Sequence, residues 1–349
     1  MATAAPQSEL VAHVQALRIP ASPQSAASDW KDWYHFVLLH PPSGWRAIVN
    51  INLAGGGAAA QVQLTLVIHA PGEPPRLHGA SRSVPWEPGM ARMSPLAIRT
   101  DEVEFAFDQQ VVHLRVHPHG ADLGLELHAR PDATPLLVTE GSAFGSGFIG
   151  WGVLPRLLAR GEVWACGRGA AIDHDWFCYQ DHNFGRFRWG EDFGWEWMVA
   201  HARPAQGPDV TVVVDLRTDS THRRGGLPYL FIVVGRALRK VFLGPAMTMR
   251  WTWSDEARVP VRLPGAMATL LAHRAERAPV AVQVEAADER DRVSLRLAVD
   301  AHLQVVATDN RGPVAYTRIG EASGEVDIAL RLGDVEIAAR GLAYAEYTR

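Results

Sequence analysis

Cysteine is almost missing from this chain. Cys166 and Cys178 are the only two in 349 residues, too few for a disulfide framework and spaced unlike a common zinc ligand set. Both are expected as reduced thiols in a cytoplasmic protein. Long apolar runs are missing as well: nothing approaches about 18 consecutive apolar residues, so no bilayer span is expected, and any membrane contact would be transient and peripheral. The first 28 residues lack a basic start leading into an apolar core, and Pro6 and Pro20 interrupt them, so no signal peptide is read. With 34 basic and 38 acidic residues, a net charge of −4 and no basic run, a dedicated nucleic-acid surface is excluded. A sustained 3.6-residue period is absent too, which removes the helical bundles.

Two further absences concern chemistry. Gly55-Gly56-Gly57 follows one strand-like run and leads into another, not into a helix, so it reads as a hairpin turn and not as a phosphate cradle. Gly141-Ser142-Ala143-Phe144-Gly145 has its serine off-centre and no helix behind it, which argues against a nucleophile elbow.

What the chain does have is strands. Runs at 33–39, 45–53, 61–69 and 111–117 are β-branched or aromatic and separated by breaks such as Pro41-Pro42-Ser43-Gly44, the pattern of hairpin-connected antiparallel strands. Residues 122–128 alternate leucine with polar residues, one face dry and one wet. The second half continues with 209–216, 229–234, 247–253, 280–284, 292–299 and 325–330. The length calls for two cores, and closure would remove the exposed edges. The expected fold is all-β, two tandem lipocalin-like antiparallel β-barrels. The expected divisions are a flexible arm over 1–28 with a short helix near 8–17, a first barrel over 29–160 and a second over 161–349, with the Gly/Ser stretch 141–152 as crossover.

Aromatic residues concentrate in one place. Of 12 Trp, 11 Phe and 6 Tyr, nine fall between Trp176 and Trp197. Interleaved are two acid–histidine pairs, Asp173-His174 and Asp181-His182, which are costly to bury unless hydrogen-bonded or used in chemistry. Their bland role is to close turns between strands while the Trp residues fill a core. His174, Asp181, His182 and His201 would be the convergent set for a metal, but histidine beside a carboxylate more often orients it, and no metal is expected.

The sharper reading is acid catalysis. An ordinary Asp, with pKa near 3.9, is protonated at pH 7 about one time in a thousand. Burial against aromatic rings shifting it by about three units makes the acid available in roughly half the molecules. Trp and Tyr faces then stabilise a developing carbocation by roughly 0.5–2 kcal/mol each. No cofactor is needed by this scheme.

At these residues the chain resembles the lipocalin-like superfamily that includes the carotenoid 1,2-hydratases (hydroxyneurosporene synthases) and related cyclases. The family segment Gly-Tyr-x-Asp-x-Asn-x-Gly followed by Trp-x-Trp is matched by Tyr179-Gln180-Asp181-His182-Asn183-Phe184-Gly185 and Trp195-Glu196-Trp197. Asp32-Trp33-Tyr34-His35-Phe36 looks like the Trp-Tyr that opens the first barrel. A related branch has Asp-His-x-Trp before Gly-Trp-x-Trp, matched by Asp173-His174-Asp175-Trp176 and Gly194-Trp195-Glu196-Trp197. The first alignment makes Asp181 the acid, with Tyr179 beside it; the second makes Asp173 and His174 the site. The family's upstream His-x-Trp is represented by Ile149-Gly150-Trp151, which keeps the Trp and lacks the His.

The resemblance implies a cofactor-free lyase or isomerase that hydrates or cyclises a carbon–carbon double bond of an apolar isoprenoid or polyene. Asp181 or Asp173 would be the acid, His174 and His182 the orienters, and Tyr179, Trp176, Trp195, Trp197, Asn183 and Trp151 would shape the pocket. A pericyclase (Diels-Alderase-like) cyclase and a non-enzymatic carrier of apolar ligands are the alternatives. Oligomeric state is not legible.

Overall fold

The computed structural model describes residues 5–19, 27–57, 60–72, 76–191, 193–218, 228–309 and 312–348. Strand accounts for 70 % and helix for 6 %, which makes the chain all-β, with two large curled antiparallel sheets forming half-barrels. The chain divides into two compact units, the first running to Arg188 and including Asp309–Pro313, the second made of Trp189–Thr308 and Val314–Arg349.

In the first unit helix α1 (Ala5–Gln15) precedes β1 (Trp30–His40), β2 (Trp45–Ala54), β3 (Gln61–Ala70), β4 (Arg76–Pro85), β5 (Ala91–Met93), β6 (Leu96–Arg99) and β7 (Val103–Asp108). Then follow β8 (Val111–Val116), β9 (Leu123–Pro131), β10 (Leu136–Phe144), β11 (Gly147–Ala165), β12 (Arg168–Ile172) and β13 (Phe177–Arg186). The sheet order is β4-β3-β2-β1-β13-β11-β9-β8-β7-β6-β5, with β10 and β12 also paired to β11. The last strand is therefore inserted between β1 and β11, at the centre of the sheet.

Period-two alternation selects the core. Trp45, Ala47, Val49, Ile51 and Leu53 of β2 point inward, and their register partners on β1, including Tyr34, Phe36 and Leu38, share that face. Gly55-Gly56-Gly57 lies in the β2–β3 hairpin connection, as anticipated.

Three features depart from the sequence reading. The arm is docked: Val11, Val14, Leu17 and Ile19 are buried in the first core, each contributing roughly 1.5–3 kcal/mol, while residues 1–4 and 20–26 of it, Pro20 included, lie outside the described residues. The Gly/Ser stretch is a hairpin of β10 and β11, not a crossover. Its glycines admit neighbours, since a Cβ on Gly150 would stand 2.3 Å from the Phe184 ring and one on Gly152 3.0 Å from Val14. Finally, the first unit extends past residue 160 to take in β12 and β13.

The second unit contains β14 (Gly194–Ala202), β15 (Val210–Thr218), β16 (Tyr229–Val234), β17 (Ala237–Leu243), β18 (Met247–Arg258), β19 (Arg262–Leu263) and helix α2 (Gly265–Leu270). It closes with β20 (Glu276–Ala287), β21 (Asp291–Asp309), β22 (Gly312–Leu332) and β23 (Val335–Thr348). Its order is β17-β16-β15-β14-β23-β22-β21-β20-β18, the short β19 lying parallel to β21. Met198, Ala200, Val212, Val214, Ala343 and Ala345 lie in its separate core. Among the described residues no helix is long and apolar enough to cross a membrane.

Candidate functional site

β13 is buried on both faces along all but its last residue, so its alternation sorts its polar residues into two environments. Cys178 belongs to the first core, and Gln180 and His182 share its face. Tyr179, Asp181 and Asn183 take the other.

On that second face the three side chains form one chain of hydrogen bonds. Tyr179 donates from Oη to Asp181 Oδ2 over 2.8 Å, and Asn183 donates from Nδ2 to Asp181 Oδ1 over 2.8 Å. Spacing of two residues along a strand puts consecutive members within reach, and each carboxylate oxygen thereby holds a donor. Asp181 is 3 % exposed and Tyr179 0 %, so these are bonds made away from bulk water, where they are strongest. The flanking strands complete the patch: β1 sets Trp33 opposite Asn183, His35 opposite Asp181 and Val37 opposite Tyr179, and β11 sets Trp151 opposite Asn183 and Val153 opposite Asp181. Partners across an antiparallel ladder have Cβ atoms about 4.5–5.5 Å apart. His35 is itself oriented by a 2.7 Å bond between its Nδ1 and Asn50 Oδ1. Thus a buried imidazole stands beside Asp181.

His182 serves the opposite face. Its Nδ1 lies 2.6 Å from the Val14 carbonyl oxygen and its Nε2 2.5 Å from Asp32 Oδ1. A carbonyl only accepts, so Nδ1 carries a proton, and the second contact holds one more between imidazole and carboxylate. Asp32 Oδ2 also accepts the backbone N–H groups of Arg18 and Ile19 at 2.5 and 2.7 Å. Tyr34 stacks on His182 with ring centroids 4.2 Å apart and donates to the Gln15 carbonyl over 2.9 Å. These residues satisfy carbonyls at the C-terminal end of α1, which have no partner within a helix. The expected role of His182 as orienter of Asp181 is corrected accordingly: neighbours in a strand point to opposite faces, and His182 clasps the N-terminal segment.

Asp173 and His174 lie in the turn before β13. Both are exposed, and Asp173 Oδ1 accepts the Asp175 N–H over 2.9 Å, the turn-closing role of an Asp. Trp176 packs in the first core, donates to the Ala171 carbonyl and stacks on His40 at 4.9 Å. His40, Asp173 and Asp175 offer ligand atoms within 4.8 Å of one another, the set among the described residues able to approach a cation. Trp195 and Trp197 belong to the second unit; Trp195 Nε1 donates to Glu346 Oε2 over 3.0 Å.

The structure therefore joins Tyr179, Asp181, Asn183 and Trp151 on one face and separates from them His182, Asp173, His174 and Trp176. The reading of the sequence missed His35 and Asn50. The signal available for His35 was its place in the Trp33-x-His35 alternation of a strand already noted.

No family model matches the chain, and no curated protein matches it. Solved structures share its fold over nearly the whole length. A protein provisionally called AttH from Nitrosomonas europaea superposes with a TM-score of 0.63 at 14 % identity, covering 95 % of this chain and 96 % of that one. Kievitone hydratase from Nectria haematococca gives 0.60 at 10 % identity, covering 96 % and 94 %. CghA, solved with Sch210972, gives 0.55 at 12 % identity, covering 96 % and 97 %. At such identities the likeness establishes the fold.

Proposed function

We propose that the Tyr179–Asp181–Asn183 face binds an apolar isoprenoid or polyene and hydrates or cyclises one of its double bonds without a cofactor. The observation that carries this reading is a buried carboxyl bonded at both oxygens and set among Trp33, Trp151 and His35. The hydratase among the proteins of like fold supports it at the level of reaction class. In hydration a proton on Asp181 passes to one alkene carbon, the cation forms at the other, water adds its oxygen there, and the proton that water loses returns to the carboxylate. The Tyr179 hydroxyl can accept as well as donate, so Asp181 can gain and lose its proton without moving a heavy atom. Each Trp face would stabilise the cation by roughly 0.5–2 kcal/mol.

A second reading is a pericyclic cyclisation that works by shape. It is favoured by the fact that both Asp181 oxygens already accept hydrogen bonds, leaving the carboxyl arranged as an acceptor. Incubation of linear polyenes and terpenoids in oxygen-18 water separates the two. A product carrying one labelled oxygen, lost in Asp181→Asn, is the outcome of hydration. An unlabelled isomer formed equally by the variant assigns the cyclase, and substrate that is bound yet unchanged sinks both and leaves a carrier.

A further inference from the structure

The second unit holds a pair of acids that the reading above does not use. β22 and β23 pair with Glu321 directly opposite Glu346, so both carboxyls lie on one face with Cβ atoms about 4.5–5.5 Å apart. Glu321 is 2 % exposed and Glu346 9 %. Two ionised carboxylates so placed would repel in a medium that screens poorly. A single proton held between the two removes that repulsion. Burial and the neighbouring Glu346 charge push the Glu321 carboxyl well above its ordinary value.

The surroundings define what such a pair could hold. Trp195 Nε1 donates to Glu346 Oε2, and Trp197 is the register partner of Glu346 on β14. Nearby on the same face of β15, Asp215 and Arg217 are bonded to each other at 2.6 Å. Glu321 Oε2 is buried and has no hydrogen-bond partner among the described residues. An acceptor left so costs about 1–3 kcal/mol, a cost removed by an incoming donor.

We propose that Glu321 and Glu346 form a one-proton carboxyl dyad and that the open oxygen of Glu321 takes the O–H group of a neutral ligand, either a water molecule or the hydroxyl of an otherwise apolar molecule. The dyad can donate and accept at once, as an alcohol or water requires, and the indole walls suit an apolar body. This assignment does not rest on the reading of the Tyr179–Asp181 face.

Infrared spectroscopy of the full chain tests it, because the C=O stretch of a protonated carboxyl appears apart from that of a carboxylate and falls when the oxygen accepts a hydrogen bond. At neutral pH the wild type should show a protonated-carboxyl band that moves with carbon-13 glutamate labelling, which excludes Asp215, and that disappears in Glu321→Gln. The labelled wild type alone decides the matter if the variant does not fold. A band already lowered in buffer identifies water as the occupant. A band at the free position that falls on adding naphthol and stays put with methoxynaphthalene, with naphthol bound about tenfold more tightly than its methyl ether, identifies a ligand hydroxyl. Absence of the band, its abolition by magnesium or calcium ions, or a free band indifferent to naphthol overturns the proposal.

Discussion

Asp181 in the first unit and Glu321 in the second are almost equally buried, at 3 % and 2 % exposure, yet they meet opposite company. Asp181 accepts from Tyr179 and Asn183, one at each oxygen. Glu321 faces another carboxyl and keeps one oxygen without a partner among the described residues. Depth of burial therefore does not fix what a buried acid can do. The groups that reach it decide which bonds it can make.

The comparison can be broken first at Asp181. Asp181→Asn keeps the size and loses the acid, so turnover by the hydration route should fall about 10²–10⁴-fold, measured as labelled product formed per enzyme; an unchanged rate removes the acid role. Next is the opposite face of the same strand, where His182→Ala leaves Asp32 buried without its imidazole. That should cost about 3–5 kcal/mol in urea unfolding, and a loss below about 1 kcal/mol would mean that the clasp contributes little.

Tyr179→Phe deletes a donor to Asp181 and should cost about 1–3 kcal/mol by the same measurement. If stability is unchanged, the carboxyl does not depend on that bond in the free protein.

The smallest effect sharpens the Glu321 side. Unfolded, Glu321 ionises near its ordinary 4.5, whereas in the fold its value is raised. The native state therefore binds more protons above that pH, and its contribution to stability, fully present below about pH 4.5, is lost as pH rises toward the folded value, by up to about 1.4 kcal/mol per pH unit. Glu321→Gln has no such proton, so its stability relative to wild type should climb with pH across that window. Parallel pH–stability curves would refute the raised value.

Much of the fold could be read from side-chain alternation. The runs at 45–53 and 61–69 lie within β2 and β3, because β-branched and aromatic runs bounded by Gly and Pro breaks favour strands. The stretch 141–152 misled because glycine has two uses. Gly150 and Gly152 sit within a strand, and the neighbours that need their missing side chains, Phe184 and Val14, are remote in sequence. At the site, Tyr179, Asp181 and Asn183 were legible together through their match to the Tyr-x-Asp-x-Asn segment, and the structure shows why they act together: that spacing repeats the strand period. His182 was misassigned because adjacency in sequence was taken for adjacency in space.

The sequence by itself determined the all-β class and presented the Tyr-x-Asp-x-Asn row, since strand runs between Gly and Pro breaks and a local motif are both carried by residues near one another in the chain. Only the tertiary structure set His35 opposite Asp181, Asp32 against His182 and Glu321 against Glu346. Each of these pairings depends on strand order and register, and a shift of one residue would turn the side chain to the other face.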